Sequence, residues 1–404
     1  MSKKITFIVA FVAFIVSAGG SFAYFSSKSS SLQFSKPTTE YQPPNGKSST
    51  PEATDTEPKT EECPLNGAMY SKKQQSKWAV RRPLVVMIEN TKDARPQSGL
   101  TSTDVLYEAV AEGGISRFMS VFYCQDAPFV GPVRSARIYF IRMTQEYGEY
   151  PLYAHVGAAN CNQETGSGCG NGAKADALGE LSKLGWAGYN NLNQFAVPFP
   201  VFYRDYSRLK KADGTDVDTE HTMYTSTQKL WTFAKDKREL TNLDADGKQW
   251  DATFKKWKFQ DDSASNTKGS VKKINYEFWK SLASDFNVQW DYDSSTNSYK
   301  RTTGGKAHLD KNTGKQLDTK NVILMMADES VANDNYDAGQ HLLYDIIGTG
   351  DAYIFQNGTA VKGSWSKKSP TDRTIYTDDK GKEVAMVRGR VYIAILPTEN
   401  KITY

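Results

Sequence analysis

The sequence predicts an α+β protein: an α/β lobe over residues 81–240 and a mostly antiparallel β lobe over residues 241–404, preceded by a membrane anchor or signal segment and a disordered tether. Three observations lead to this prediction. Strand-like and helix-like patterns alternate in the first lobe. Short strand-like runs between polar turns fill the second lobe. A long apolar segment near the N-terminus is followed by a polar tract.

Residues 1–25 contain that apolar segment. Lys3 and Lys4 precede ITFIVAFVAFIV, and SAGGSFAYF follows. Lysines on the short N-terminal side keep that end in the cytoplasm, so the globular part is expected outside. Residues 5–25 are long enough for a transmembrane helix of about 20 residues, and Ser21-Phe22-Ala23 could instead be a signal-peptidase site. Both alternatives place the globular part outside, in the cell envelope, and a retained anchor makes the cytoplasmic membrane a partner through residues 5–25.

Residues 26–80 predict a disordered tether. Ser, Thr, Pro, Lys and Glu dominate this tract, which leaves too little apolar surface to offset the entropy lost on ordering. Its prolines keep the chain extended. Regular structure is therefore expected to begin at Pro83.

The α/β lobe is assigned from apolar runs and helical periodicity. The segments DVLYEAVAE and ISRFMSVFY flank Gly113-Gly114, and two glycines supply the positive φ angles of a tight β-hairpin turn. A helix that ends at these glycines is the alternative. Further strands are predicted at Pro83–Asn90 and Tyr150–Val156, and helices at Pro132–Glu146, Ala173–Leu184 and Thr225–Lys237.

The β lobe is assigned from regularly spaced short runs. They include KNVILMMAD, AYIFQNGTAV and RVYIAIL, and polar turns such as DKNTGK separate them. Several short strands at such spacing indicate a mostly antiparallel arrangement.

The composition argues against one class of function, nucleic-acid binding. The chain has 50 Lys and Arg against 46 Asp and Glu, a formal net charge of +4, and these charges are scattered along it. This pattern indicates no nucleic-acid partner. Because the sequence contains no phosphate-binding loop, nucleophile elbow or paired-histidine zinc motif, we expect no cofactor and no metal.

The four cysteines are typical of an exported protein. Cys161 and Cys169 flank a glycine-rich segment, and a disulfide between them would close a loop of about eight residues, worth roughly 2–3 kcal/mol in the loop-entropy account. Cys63 and Cys124 are the candidates for a second disulfide. Free, buried thiols are the alternative for both pairs.

Two glutamates and an arginine on the predicted hairpin could form acid–base machinery. With Gly113-Gly114 as a two-residue loop, Val110 lies opposite Arg117. Arg117 then shares a sheet face with Glu108 and Glu112. Two carboxylates and a guanidinium on one face are candidates for general acid–base catalysis. The alternative is a structural salt-bridge ladder that contributes under about 1 kcal/mol.

Arg134 and Arg137, together with Arg117, are predicted to bind an anion. Arg134 and Arg137 fall in the first turn of the helix predicted from Pro132, and their spacing of three puts both on one helical face. The macrodipole disfavours cations at a helix N-terminus. An anion held by backbone N–H groups and both arginines would remove this conflict. Pairing with carboxylates is the alternative.

His155 and His221 are further candidates for a general base. His155 ends the strand predicted in YAHVG, and His221 lies in EHTMYTS beside Tyr224. A histidine near the arginines could titrate in the physiological range. The alternative for each is a hydrogen-bonded structural histidine.

Several stretches resemble a known family. RRPLVVMIEN, ARPQSGLTSTDVLYEAVAEGGISRF and GPVRSAR, and later EHTMYTS and YKRTTGGKAHLDKNTGKQLDTKNVILM, are similar to the YerB-type family of bacterial envelope proteins. The resemblance covers roughly residues 81–398. It implies an extracytoplasmic protein with N- and C-terminal halves and no established reaction. Unlike the lipoprotein members, this chain lacks a lipidated cysteine, which favours the transmembrane anchor, and the Cys161–Cys169 loop is a local addition.

The sequence thus predicts a membrane-tethered extracytoplasmic protein that binds or scaffolds other envelope components. An anionic envelope polymer or another envelope protein is the expected partner. The alternative is an envelope enzyme that acts on a phosphorylated or otherwise anionic substrate, such as a lipid-linked glycan. Whether the arginines and carboxylates converge in one concave site discriminates the two.

Overall fold

A computed structural model describes residues 56–160, 172–263, 269–279, 282–332 and 341–404. The predicted anchor, most of the predicted tether, and the Cys161–Cys169 pair lie outside these residues. Residues 57–404 belong to one folded unit. In the described part of the chain, no helix is both long and apolar enough to cross a membrane.

The fold is mostly β with few helices. The strands are β1 (Glu61–Glu62), β2 (Met69–Tyr70), β3 (Leu84–Glu89), β4 (Val105–Glu112), β5 (Ile115–Phe122), β6 (Leu152–His155), β7 (Asn191–Asn193), β8 (Tyr203–Arg204), β9 (Met223–Tyr224), β10 (Phe259–Gln260), β11 (Lys273–Tyr276), β12 (Val288–Asp293), β13 (Ser298–Thr303), β14 (Lys306–Ala307), β15 (Asp318–Thr319), β16 (Asn321–Ala327), β17 (Glu329–Val331), β18 (Leu342–Tyr344), β19 (Gly348–Gln356), β20 (Thr359–Lys367), β21 (Ile375–Asp378), β22 (Met386–Val387) and β23 (Val391–Pro397). The helices are α1 (Lys72–Trp78), α2 (Ile138–Thr144), α3 (Ala177–Lys183), α4 (Thr227–Arg238) and α5 (Ala283–Phe286).

Within the described residues, ten strands form one mixed sheet in the order β21-β20-β19-β16-β23-β4-β5-β3-β6-β7. The last strand of the chain, β23, pairs in parallel with β4 and with β16. Because β4 belongs to the N-terminal half, both halves of the chain share this sheet. The boundary predicted near residue 240 falls just after α4, in the connection between the two halves of the chain. A smaller sheet is built from β11 to β15.

The centre of the large sheet is buried on both faces. Every residue of β3 (LVVMIE) and of β16 (NVILMMA) is buried, and β23 is buried up to its final proline. Continuous apolar runs of this length are typical of strands that are covered on both sides. Glu89, which ends β3, is the charged residue of its run.

The chain before Pro83 is folded. Strands β1 and β2 pair, and α1 begins at a capping box in which Ser71 and Gln74 bond each other's backbone N–H groups. Trp78 and Cys63 are buried in the core. The prediction that regular structure begins at Pro83 is therefore wrong, because these two buried side chains order a tract whose composition is otherwise polar.

The hairpin predicted around Gly113-Gly114 is confirmed. Strands β4 and β5 flank the two glycines, and both glycines have positive φ angles. Arg117 lies opposite Ala109, one position earlier than predicted, because a bulge before Glu112 adds a residue to β4. Arg117 and Glu108 therefore lie on opposite faces, so the prediction of a shared face is wrong for Glu108, whereas Arg117 does share a face with Glu112, to which it pairs at 2.8 Å.

The helix predicted from Pro132 begins only at Ile138. The segment between them is extended, and its backbone N–H groups donate to carbonyl groups of β3 and of the chain after β6. Arg134 lies in this extended segment, and Arg137 is the residue before the first turn of α2, with extended backbone angles. The prediction that both arginines occupy the first helical turn is therefore wrong.

Glu146, just after α2, lies in a buried ion cluster. Its carboxylate is 2.8 Å from Lys367 Nζ and 2.6 Å from an Arg373 guanidinium nitrogen. Thr374 donates to it from both its backbone N–H and its hydroxyl. Burial disfavours the charged carboxylate, but the two cations outweigh it and lower the pKa of Glu146 to about 2.

We expect this cluster to make the folded protein sensitive to acid. In the unfolded chain Glu146 has an ordinary pKa of 4.5 and binds a proton below that pH, whereas in the folded protein it stays ionised down to a pH of about 2. The free energy of unfolding therefore falls as the pH drops from about 4.5 toward 2. Glu146→Gln should flatten this dependence, and urea unfolding at pH 6 and pH 3 measures it. The exposed Glu399→Gln is the control and should keep the wild-type slope. Equal slopes for wild type and Glu146→Gln would contradict the expectation.

Candidate functional site

The carboxyl ends of three parallel strands meet at one edge of the large sheet. Strands β3, β6 and β7 run parallel and end at Glu89, His155 and Asn193. Ligands of open sheets bind outside the carboxyl ends of parallel strands. This edge is therefore the first place to look for a site.

The extended segment before α2 crosses this edge. Val133 forms a bridge with Ile88 in β3, and Ala136 forms a bridge with Ala158 in the chain that follows β6. Backbone hydrogen bonds on both sides hold the segment in place. They fix Arg134, which lies between the two bridges, over the ends of β3 and β6.

His221 pairs with Glu89 at this edge. His221 belongs to the 3₁₀ turn Thr219–His221, and its Nδ1 lies 2.8 Å from Glu89 Oε2. Both side chains are buried. Burial disfavours the charged imidazole, but the hydrogen bond that the ring donates to Glu89 and the negative charge of Glu89 outweigh this and raise the pKa of His221 above its ordinary value. None of the described residues hydrogen-bonds Nε2 of His221, so this atom is available to a ligand.

Arg134 completes what we call the edge cluster, formed by Glu89, Arg134 and His221. Its Nε lies 3.3 Å from Glu89 Oε1, and one terminal nitrogen lies 3.9 Å from Glu220. The side chain is 24% exposed, and no described residue accepts a hydrogen bond from its guanidinium group. A guanidinium carries five N–H donors. The donors on its terminal nitrogens thus make no hydrogen bond to any described residue, although one of these nitrogens lies within ion-pair distance of Glu220.

His155 has both ring nitrogens occupied. Its Nδ1 lies 2.7 Å from the carbonyl oxygen of Gly157, and its Nε2 lies 2.7 Å from Asn191 Oδ1. Burial lowers the pKa of His155, which favours the neutral ring. These contacts give His155 a structural part, since they tie the chain after β6 to β7.

Glu112, Arg117 and Arg137 form a separate cluster. Arg117 lies 2.8 Å from Glu112, Arg137 also pairs with Glu112, and His341 Nε2 lies 3.8 Å from the same carboxylate. Backbone carbonyl groups of Ser135 and Ala136 accept further hydrogen bonds from the two arginines. The structure therefore brings Arg117 and Arg137 to one carboxylate, and their binding of an external anion stays a prediction.

Glu108 lies in the interior, away from the edge cluster. Its carboxylate is 2.7 Å from Arg301 and accepts hydrogen bonds from Ser116, Asn90 and Tyr392. All five side chains are buried. Because Arg301 and Tyr392 come from β13 and β23, Glu108 links the two halves of the chain rather than facing a ligand.

The structure pairs Cys63 with Cys124 in a disulfide. Both sulfurs and a carboxylate oxygen of Asp104 lie within 4.8 Å of one another. Sulfurs that are bonded to each other cannot act as thiolate ligands, so this group is not a metal site. Because Cys161 and Cys169 lie outside the described residues, their disulfide stays a prediction.

Two open cavities in the described chain lie elsewhere. One of about 290 Å³ is lined by Tyr276 and Gln289, among others. One of about 780 Å³ is lined by Lys362 and Asp378, among others. The edge cluster borders neither cavity. It is a candidate site because of its charged and hydrogen-bonding side chains, not because it lies in a deep pocket.

Glu89 is a site residue that the sequence alone does not reveal. It stands in the predicted strand Pro83–Asn90 without an assigned role. A glutamate at the end of a continuous apolar run is a usable signal, because a buried carboxylate needs a partner. Its partner His221 is 132 residues away in the chain, and no local pattern gives such a pairing.

The fold and the edge cluster define a mostly β protein whose two halves share one mixed sheet and whose polar site lies at the carboxyl ends of parallel strands. The chain belongs to the family described as "Protein of unknown function (DUF3048)". The N-terminal domain of this family matches residues 69–241, and the C-terminal domain matches residues 274–393. The resemblance inferred from the sequence motifs is confirmed.

The YerB protein of Bacillus subtilis is similar to this chain in both sequence and structure. "Putative lipoprotein YerB" of strain 168 is 26% identical over 339 residues, which cover 83% of this chain and 86% of that relative. The crystal structure of the YerB protein matches with a TM-score of 0.64 at 24% identity, over 85% of this chain and 100% of that chain. At this identity the structural match shows a shared fold.

Proposed function

We propose that this protein is an extracytoplasmic envelope protein that binds an anionic group at the edge cluster. The observation that carries the proposal is the Arg134 guanidinium, which is partly exposed and donates no hydrogen bond to any described residue. Arg134 and a protonated His221 share one buried carboxylate, Glu89. Glu220, the second carboxylate near Arg134, is 3.9 Å away and 56% exposed, so an anion can still take the guanidinium donors through charge-assisted hydrogen bonds.

The proposal includes a place for the protein at the outer face of the cytoplasmic membrane. The apolar segment over residues 5–25 and the lysines before it support an anchor with this orientation. The name of the Bacillus subtilis relative, "Putative lipoprotein YerB", supports an envelope location as well. An anionic envelope polymer or an acidic surface of another envelope protein would then be within reach of the edge cluster.

Inorganic phosphate should stabilise the folded protein, by about 2.7 kcal/mol at a hundredfold excess over its dissociation constant. Arg134→Gln should abolish this effect at only a modest cost to the unliganded protein, because the guanidinium makes no hydrogen bond within the described structure and His221 still pairs with Glu89. Unfolding in urea, with and without phosphate at constant ionic strength, measures both quantities.

Arg142→Gln is the matched control for this experiment. Arg142 is 40% exposed and pairs with Glu180 at 3.2 Å on the surface of α2, so its loss should leave the phosphate response intact. The response should also weaken as the pH rises through the pKa of His221, since the imidazole then loses its charge. An equal response of wild type and Arg134→Gln to phosphate would rule out the proposed site.

The hydrogen bond between Glu89 and His221 favours a second candidate function, an enzyme that acts on an anionic substrate. A carboxylate that orients an imidazole is the arrangement of a general base, and Nε2 of His221 would face the substrate. Arg134 would hold the anionic group in either case. Turnover of an anionic envelope glycan that disappears in His221→Gln, while binding persists, would favour this candidate over binding alone.

A further inference from the structure

Phe195 stands at the same sheet edge with most of its surface in water. It follows β7 and is 78% exposed. A methyl group placed on Gly157 would lie 3.8 Å from Phe195 Cε2 and 3.7 Å from Ser135 Oγ. The phenyl ring and the Ser135 hydroxyl therefore border the bare backbone of Gly157, and a ligand can approach that backbone closely.

The hydrogen-bonding groups around this ring are unused by the described structure. The Ser135 hydroxyl and the Gln194 side-chain amide bond none of the described residues. Asn193 Oδ1 instead accepts from the backbone N–H groups of Phe195 and Gly157, at 3.3 and 3.5 Å, which holds the backbone that carries the ring. The exposed ring of Phe195 therefore lies near a hydroxyl group and an amide group that are able to hydrogen-bond a ligand.

Phe195 and Arg134 lie on neighbouring parts of one edge. Strands β3, β6 and β7 are successive in the sheet, and adjacent strands are spaced about 4.8 Å apart. The ends of β3 and β7 are thus about 10 Å apart. A ligand that reaches both must be longer than a single small anion.

We infer that this edge binds an anionic glycan. A sugar ring has an apolar C–H face and a rim of hydroxyl groups, so it fits an exposed aromatic ring with polar neighbours. Phe195 covers one sugar face, Ser135 and Gln194 bond its hydroxyl groups, and the acidic group of the chain binds Arg134 and His221. The inference rests on the proposed function and adds the class of ligand to it.

The test uses the full chain and three polymers: polygalacturonate, which is an anionic polysaccharide; dextran, which is neutral; and polyglutamate, which is an anionic peptide. Calorimetry should show binding of polygalacturonate and weaker binding of dextran and polyglutamate. Phe195→Ser should weaken polygalacturonate binding about tenfold, the upper range for one aromatic contact. Phe199→Ser is the matched control, since Phe199 lies in the same loop and is 65% exposed, and it should bind as wild type does.

Phosphate separates the two proposals. Phe195→Ser should keep the full stabilisation by phosphate, because a small anion reaches only the edge cluster. If Phe195→Ser binds polygalacturonate as tightly as wild type does and keeps the phosphate effect, the glycan inference is overturned and the proposed function stands. If phosphate does not stabilise the wild-type protein, the proposed function is wrong. Stronger binding of polyglutamate, with the same dependence on Phe195, assigns the edge to an acidic protein partner and overturns the inference.

Discussion

Replacing both Cys63 and Cys124 by alanine should lower the free energy of unfolding by about 4 kcal/mol. The disulfide joins residues that are 61 positions apart. Closing a loop of that length lowers the conformational entropy of the unfolded chain, which stabilises the folded state by about 4 kcal/mol. The bond fastens the segment of β1 and β2 to the chain just after β5. Equilibrium unfolding in urea, without reductant, is the measurement.

The control for this prediction is a protein in which Cys161 and Cys169 are both alanine, so that the remaining cysteines are Cys63 and Cys124. Reductant should destabilise this protein by a similar amount, whereas it should have no effect once Cys63 and Cys124 are also replaced. Equal stability of the control with and without reductant would show that the Cys63–Cys124 bond contributes nothing.

The elements that the sequence predicts well are those that local chemistry determines. The run LVVMIE becomes β3 and NVILMMA becomes β16, because chains of apolar and β-branched residues fit a strand that is covered on both faces. Gly113-Gly114 turns the chain between β4 and β5, since both positions need a positive φ. The helix α4 was predicted within two residues at each end.

The parts that the sequence does not reveal depend on contacts between distant residues. The bulge before Glu112 changes which face Arg117 occupies, and no local signal gives its position. The segment after Pro132 stays extended because its N–H groups bond neighbouring strands. The pairing of Glu89 with His221 depends on the fold that brings these residues together. The edge cluster could therefore be predicted only in part, through Arg134 and His221.

The motifs that carry the family resemblance meet in the structure. His308 Nε2 lies 2.9 Å from Gln97 Oε1, and Asp310 accepts a hydrogen bond of 2.7 Å from the backbone N–H of Thr101. Gln97 and Thr101 belong to ARPQSGLT in the N-terminal half, and His308 and Asp310 belong to HLDKNTGK in the C-terminal half. These two stretches thus help to join the two halves of the chain, and this does not by itself identify a ligand.

Arg301→Met should cost about 3–5 kcal/mol of folding free energy, because it leaves Glu108 charged and buried without its cation. Both side chains of this pair are wholly buried, 2.7 Å apart. Adding Glu108→Gln to Arg301→Met should recover part of this loss, since a neutral amide needs no counter-ion. Urea unfolding of wild type, both single variants and the double variant gives the coupling free energy between the two residues.

Lys300→Met is the matched control, because it removes a cation from the neighbouring position on β13. Lys300 pairs with Asp293 at 2.8 Å on the solvent side of the sheet, and exposed pairs contribute little. Its loss should therefore change stability only slightly. If Arg301→Met and Lys300→Met proved equally mild, the buried pair would not be what joins β13 to β4. A large cost for Arg301→Met that Glu108→Gln partly reverses would show that Glu108 serves to connect the two halves of the chain.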